Sequence, residues 1–171
     1  MSHDEAIRII ESTRRLYPDN IDFLTLLAHC QVMQGKYTEA LATIGQAQAL
    51  YQRQELTALR GFTYARMGET AKAREALKEL LGQQSSRPYL QPYFVAWVYV
   101  ALGENQKALD WLEKAADDRT EHLFVADWGG LRMDPAWDTL QNEPRYWKLC
   151  DSLGMGKDQW PRRDVLLTPP P

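Results

Sequence analysis

The chain has 171 residues, of which 44% are hydrophobic and 25% charged, a composition typical of a folded globular domain and not of a disordered chain. Its 20 basic and 23 acidic residues are interspersed and give a formal net charge of -3, so the cationic face that nucleic-acid binding requires is not expected. The longest apolar run, Phe94 to Leu102, is too short to cross a bilayer, and the first residues lack the apolar stretch of a secretory signal. The composition therefore predicts a cytoplasmic protein that binds neither nucleic acid nor membrane.

The first predicted element is a helix from Asp4 to Tyr17 that ends at Pro18. Ala6 precedes Ala40 by 34 residues, a spacing close to those that separate small residues later in the chain. We interpret residues 1–20 as a truncated half repeat, the second helix of a hairpin without its first helix.

Two isoleucines of this helix, Ile7 and Ile10, lie on the side that the missing helix would cover. A repeat buries its apolar faces only against its neighbours, so an incomplete end leaves such residues exposed. The sequence predicts that they self-associate to form a homodimer, or that they dock against residues preceding Met1.

Residues 21–120 show an internal repeat that consists of a glycine followed five residues later by an alanine. The glycines recur at spacings of 33 and 35 residues and are Gly35, Gly68 and Gly103, and the alanines are Ala40, Ala73 and Ala108. Glycine accepts the left-handed backbone that stops a helix, and alanine lets two helices approach closely. The pattern predicts three helical hairpins with helices over Ile21 to Gln34, Tyr37 to Tyr51, Glu55 to Met67, Thr70 to Leu81, Leu90 to Leu102 and Asn105 to Asp117.

A second column of small residues supports close packing within each hairpin. Ala28, Gly61 and Ala96 lie in the first helices and are expected to face the alanines of the second helices. Gly61, for example, is expected to face Ala73.

Residues 121–155 lose the period and contain two short helix starts, one at Asp134 with Pro135 and one at Asn142 with Pro144. We interpret this region as a C-terminal cap, because a repeat array must end on an element that is apolar inside and polar outside. The apolar face is predicted to consist of Trp137, Leu140, Tyr146, Trp147, Leu149 and Leu153. Residues 156–171, which contain four prolines, are predicted to form an extended tail.

These residues resemble the tetratricopeptide repeat family, whose 34-residue unit places a tyrosine, a turn glycine and two alanines at fixed positions. The matching positions are Tyr64 and Tyr99 for the tyrosine, Ile44, Leu77 and Leu112 for a large apolar residue, and Ala47 and Ala115 for the later alanine. Gln31, Arg60 and Leu80 depart from the pattern. The cap is similar to the ending DPxFDxLxxDPRFxxLLxxLG found after repeat arrays in bacterial multidomain regulators. The resemblance implies an all-α fold, a right-handed solenoid of helical hairpins with C-terminal capping helices.

The family resemblance also implies a binding groove on the concave side, lined by the first helix of each hairpin. At the family's ligand-facing positions this chain has mostly aromatic and apolar residues and few charges. The candidate partner-binding residues among them are His29, Met33, Phe62, Arg66, Tyr93 and Trp97. The family's carboxylate clamp of Lys, Arg and Asn would require asparagine at the ninth position of the unit, where this chain has His29, Phe62 and Trp97. Such a groove suits an amphipathic helix or an extended apolar segment. Alternatively, the aromatic side chains are covered within the chain, by the tail or by the segment from Glu121 to Leu131.

No pattern typical of catalysis or metal binding is found in the sequence. The three histidines, His3, His29 and His122, have no second ligand at a metal-site spacing, and nucleophile-elbow and phosphate-loop motifs are missing. Cys30 and Cys150 lie in amphipathic helices and are expected to be buried thiols. We therefore predict a non-enzymatic protein without cofactor or metal.

The resulting hypothesis is a protein–protein interaction module that holds a polypeptide segment in its groove, as an adaptor or chaperone-like scaffold. The alternative is a regulatory or sensor domain of a larger bacterial transcription regulator or signalling protein, which the resemblance of the cap suggests. Fold alone does not separate the two.

Overall fold

The computed structural model describes residues 8, 12, 16–17, 19–82, 91–123 and 130–157, and every regular element in these ranges is a helix. The six long helices are α1 (Ile21–Met33), α2 (Tyr37–Leu50), α3 (Gln54–Arg66), α4 (Thr70–Gly82), α5 (Pro92–Ala101) and α6 (Asn105–Asp117). Their bounds agree with the predicted helices to within two residues. The predicted start of the fifth helix, Leu90, lies outside the described residues.

The six helices form three stacked hairpins. Within each hairpin the two helices pack together, α1 on α2, α3 on α4 and α5 on α6. The first helices also contact one another, α1 with α3 and α3 with α5, and form a continuous layer. Further contacts of α2 with α3 and of α4 with α5 join each hairpin to the next. This arrangement confirms the predicted all-α fold of a tetratricopeptide-like helical solenoid.

The three hairpin turns share one backbone geometry. Gly35, Gly68 and Gly103 have φ angles of 75°, 81° and 75°, in the left-handed region that glycine enters without steric cost. In the first turn, the N–H of Gly35 donates to the carbonyl of Val32 and the N–H of Lys36 to that of Gln31, both at 2.9 Å. This is the Schellman pattern, which satisfies the last carbonyl groups of a helix. The same pair of hydrogen bonds recurs at the other two glycines.

Small residues allow the helices of each hairpin to approach closely. The five alanines of the two predicted columns are fully buried, namely Ala28, Ala40, Ala73, Ala96 and Ala108. Gly61 differs in detail from the prediction. A Cβ atom on Gly61 would lie 3.1 Å from the Cβ of Ala76 and 3.2 Å from a methyl group of Val98. Its closest neighbour in α4 is therefore Ala76, one turn beyond the predicted Ala73.

In the described residues after α6, four short helices make up the cap. They are a 3₁₀ helix (Glu121–Leu123), α7 (Gly130–Met133), a second 3₁₀ helix (Pro135–Asn142) and α8 (Pro144–Ser152). The side chain of Asp134 accepts a hydrogen bond from the N–H of Ala136 and so caps the second 3₁₀ helix. The residue preceding α8 is Glu143 and not the predicted Asn142, which is the last residue of the 3₁₀ helix.

The cap packs against the last hairpin through an apolar face and an ion pair. Trp137, Leu140, Tyr146 and Leu149 are buried, whereas Trp147 and Leu153 are partly buried against the same core. Arg145 of α8 donates to Glu113 through two nitrogens and to Asp110 through one, each at 2.7 Å, and both acids belong to α6. A bidentate guanidinium–carboxylate pair fixes orientation as well as distance. The cap is thereby held on the outer helix of the third hairpin.

The predicted end segments are described only in small part. Ile7 and Ile10 lie outside the described residues, as does the tail beyond Lys157, so the homodimer and the extended tail stay predictions. The predicted domain boundaries stay predictions as well. Leu16 and Tyr17, which precede α1, are exposed. None of the described helices combines the length and the apolar composition needed to cross a membrane.

Candidate peptide-binding groove

Four of the six candidate partner-binding residues form one buried aromatic cluster across the three hairpins. His29 of α1, Phe62 of α3, and Tyr93 and Trp97 of α5 are each at most 5% exposed. Trp97 is the centre, because its ring lies 5.3 Å from that of His29, 5.6 Å from Phe62 and 6.0 Å from Tyr93. The predicted column of aromatic side chains therefore exists, and its members contact one another on the layer of first helices.

The cap covers this aromatic cluster through the carboxylate of Asp134. One oxygen of Asp134 accepts a hydrogen bond from the indole N–H of Trp97 at 3.0 Å. The other accepts from the backbone N–H of Ala136 at 2.8 Å and lies 3.7 Å from Nε2 of His29. The side chain of Asp134 has no exposed area. Burial of a carboxylate is unfavourable unless donors surround it, and here the array and the cap both supply them.

Trp137 and His122 also pack against the aromatic cluster. The indole N–H of Trp137 points to the hydroxyl of Tyr93 at 3.4 Å, and the two rings meet edge to face at 5.3 Å. His122 lies 5.8 Å from the ring of Tyr93 and 4.9 Å from that of Phe94. These contacts support the alternative of a groove covered within the chain, because His122 belongs to the segment from Glu121 to Leu131. Asp134 and Trp137 lie just beyond that segment.

The environment of the aromatic cluster also keeps the hydroxyl group of Tyr93 protonated. Burial, followed by the negative charge of Asp134, raises the pKa of Tyr93 well above its ordinary value, although the hydrogen bond with Trp137 acts in the opposite direction. Burial likewise raises the pKa of Tyr146, whose hydroxyl donates to the carbonyl of Leu131 in the cap. Both phenols are therefore structural groups and remain protonated through the neutral range.

The other two candidate residues, Met33 and Arg66, line an open cavity beside the cap. The cavity has a volume of about 510 Å³ and lies where α1, α3 and α5 end. Its wall on the repeat side consists of Met33, Phe62, Arg66, Val100, Ala101 and Gly103. The second 3₁₀ helix forms the opposite wall with Pro135, Ala136, Asp138 and Thr139. Phe62 is the one candidate residue that belongs to both the buried cluster and this open cavity.

Sequence reasoning missed the part that Asp134 plays in the groove. The Asp134-Pro135 pair indicated the start of a helix, and the structure has that start. Nothing local in the sequence indicates that the same carboxylate accepts a hydrogen bond from Trp97, 37 residues earlier. The hydrogen bond between Asp134 and Trp97 can be predicted only once the cap is known to fold back onto α5.

The same region has buried thiols but no cluster of metal ligands among the described residues. In the described part of the chain, no group of three His, Cys, Asp or Glu side chains is placed to hold a metal ion. Cys30 and Cys150 are free and buried, and burial raises the pKa of both thiols. These cysteines are therefore packing residues in their helices.

Comparisons with known proteins agree with this architecture. A family model described as Tetratricopeptide repeat matches residues 2–61, which include α1, α2 and most of α3. The comparisons with curated proteins and with solved structures gave no match. Beyond the matched residues, α3 to α6 repeat the same hairpins with the same glycine turns. Residues 2–61 therefore match the tetratricopeptide repeat family, and the helices that follow have the same hairpin architecture.

Proposed function

We propose that this protein–protein interaction module binds a segment of a partner polypeptide in the open cavity beside the cap. The observation that carries the proposal is the position of this cavity, on the layer of first helices that the cap leaves uncovered. Tetratricopeptide repeats use that layer to hold partner chains. The proposal includes no reaction and no cofactor.

The proposed contact residues are Met33, which is partly exposed, and Arg66, which is exposed. Phe62 also lines the cavity but is buried, so in this proposal it forms the base beneath them. His29, Tyr93 and Trp97 lie under the cap, and in this proposal they support the groove and do not touch the partner. The binding surface is therefore composite, because one wall comes from the repeats and the other from the second 3₁₀ helix.

The size and lining of the cavity suit a few side chains of a polypeptide. About 510 Å³ lies within the range of roughly 300 to 1,000 Å³ that is usual for ligand sites, and the lining presents polar and apolar surface side by side. Apolar side chains from one face of an amphipathic helix, or from an extended segment, would gain about 25 cal/mol per Å² buried before the costs of association.

A displayed library of random twelve-residue peptides, selected on the intact chain, tests the proposal. Enriched peptides are then titrated against Ala136→Arg, which fills the cavity from the cap side, and against Ala71→Arg, on the exposed surface of α4. We expect roughly tenfold or greater weakening for Ala136→Arg and unchanged affinity for Ala71→Arg, with both variants folded by circular dichroism. Equal affinity for both variants, or no enriched peptide, would contradict binding in this cavity.

A further inference from the structure

Among the described residues, Arg66 is a basic side chain that lines the open cavity and has no carboxylate partner. It is exposed in the last turn of α3 and lines the open cavity. Among the described residues, no hydrogen bond or ion pair involves its guanidinium group. Five other basic residues of the repeats do have carboxylate partners, and these pairs are Arg53 with Asp22, Arg60 with Glu79, Lys72 with Glu69, and Arg74 and Lys107 with Glu104.

The charges of the cavity are arranged on opposite walls. Arg66 supplies the positive charge on the repeat side, and Asp138 supplies a negative charge on the cap side. Asp138 already accepts a hydrogen bond from the side chain of Gln141 at 3.1 Å. Met33 and Phe62 add apolar side chains to the same lining. A ligand that fills this cavity therefore meets a cation on the repeat side that has no carboxylate partner among the described residues, and on the cap side an anion that is already hydrogen-bonded.

We propose that the open cavity selects partner segments in which an acidic side chain lies beside an apolar one. The apolar side chain packs on Met33 and Phe62, and the acidic side chain pairs with Arg66. Asp138 repels the acid from the opposite wall and thereby fixes the direction in which the segment lies. This inference rests on the proposed function and specifies the chemistry of its partner.

A side-chain carboxylate fits this cavity better than a chain-terminal carboxylate. A terminal carboxylate held at the end of a groove needs several donors around it, because both of its oxygens lose water. The lining side chains offer one guanidinium group and one hydroxyl group, from Arg66 and Thr139. An acid at the exposed rim needs only the guanidinium group and keeps part of its hydration.

The expected effect of the charge is moderate because Arg66 is exposed. Ion pairs at the solvent-accessible rim of an interface mainly affect the association rate and lose strength as salt increases. Charge reversal replaces an attraction by a repulsion, so we expect about five- to tenfold weaker binding of acidic peptides to Arg66→Glu at low salt. In high salt the difference should shrink.

The peptide selection described above is repeated on three chains: the wild type, Arg66→Glu, and Lys78→Glu as a control on the exposed side of α4. The displayed peptides have no free C-terminal carboxylate, so any acidic preference comes from side chains. We expect the wild type and Lys78→Glu to enrich acidic residues next to apolar ones. Arg66→Glu should lose this preference or enrich basic residues instead.

Each outcome separates this inference from the proposed function. Peptides without acidic preference that still weaken on Ala136→Arg would overturn the inference and leave binding in the cavity intact. A second library displays the same random peptides with a free C-terminal carboxylate, and enrichment from that library alone would overturn the side-chain assignment. No enrichment from either library on any of the three chains would overturn both.

Discussion

At the scale of single residues, the buried carboxylate of Asp134 joins the cap to the repeat array. It begins the second 3₁₀ helix of the cap through Ala136 and accepts the indole N–H of Trp97 in the array. Removing it would leave the N–H of Trp97 buried without its acceptor, which costs the desolvation energy of that group. The same change would also remove the helix cap.

The variant Asp134→Ala is therefore expected to lower the free energy of unfolding by about 2 to 4 kcal/mol. Asp138→Ala, in the same 3₁₀ helix but at an exposed position, should cost less than about 1 kcal/mol. Urea denaturation followed by tryptophan fluorescence measures both values. Equal destabilisation by the two variants would show that the contact between Asp134 and Trp97 contributes little.

The sequence predicts the identity of the groove residues better than it predicts their exposure. His29, Phe62, Tyr93 and Trp97, which the family resemblance placed in one column, contact one another on the layer of first helices. Whether these side chains are exposed depends on whether Asp134 and the second 3₁₀ helix pack over them. Such a long-range contact has no local signature, so the sequence left both possibilities open.

At the scale of helices, the hairpins were predictable because their signals are local. A glycine with positive φ ends a helix by hydrogen bonds to carbonyl groups only three to five residues earlier, and each of the three glycine turns has them. The close neighbour of Gly61 was less predictable, because Ala76 and Ala73 both lie on the buried face of α4, one turn apart. Crossing geometry, which the sequence does not specify, decides between them.

Two glycines of similar exposure should respond in opposite directions when changed to alanine. Gly68→Ala forces an alanine into a backbone with φ of 81°, so we expect a loss of about 1 to 2 kcal/mol in the free energy of unfolding. Gly45 lies within α2, where an added Cβ would contact nothing within 4 Å, so Gly45→Ala should stabilise by roughly 0.5 to 1 kcal/mol. Thermal unfolding of both variants checks the signs, and a stabilising Gly68→Ala would refute the role assigned to the turn.

At the scale of the whole molecule, the cap is both the end of the array and a wall of its cavity. A solenoid needs its terminal apolar surface covered, and here the covering helices also extend over the layer of first helices as far as His29 of the first hairpin. The uncovered remainder lies at the ends of α1, α3 and α5. Closure of the array and the shape of the proposed site are therefore consequences of the same packing.

The same packing predicts that the folded protein loses stability in alkaline solution. Burial is the largest cause of the raised pKa values of Cys30, Cys150, Tyr93 and Tyr146, whose ordinary values are about 9 for the thiols and 10 for the phenols. Between these values and the higher ones of the folded state, the unfolded chain binds fewer protons, so the free energy of unfolding falls as pH rises. Below about pH 8 all four groups are protonated in both states, and their contribution to stability is fully present.

We expect the melting temperature to be nearly constant from pH 7 to 8 and to fall progressively from pH 9 to 10.5. A Cys30→Ala, Cys150→Ala variant separates the two kinds of group, because it should begin to lose stability about one pH unit later than the wild type. A melting temperature that stays constant to pH 10.5 would mean that the pKa values of these side chains are the same in the folded state as in the unfolded chain.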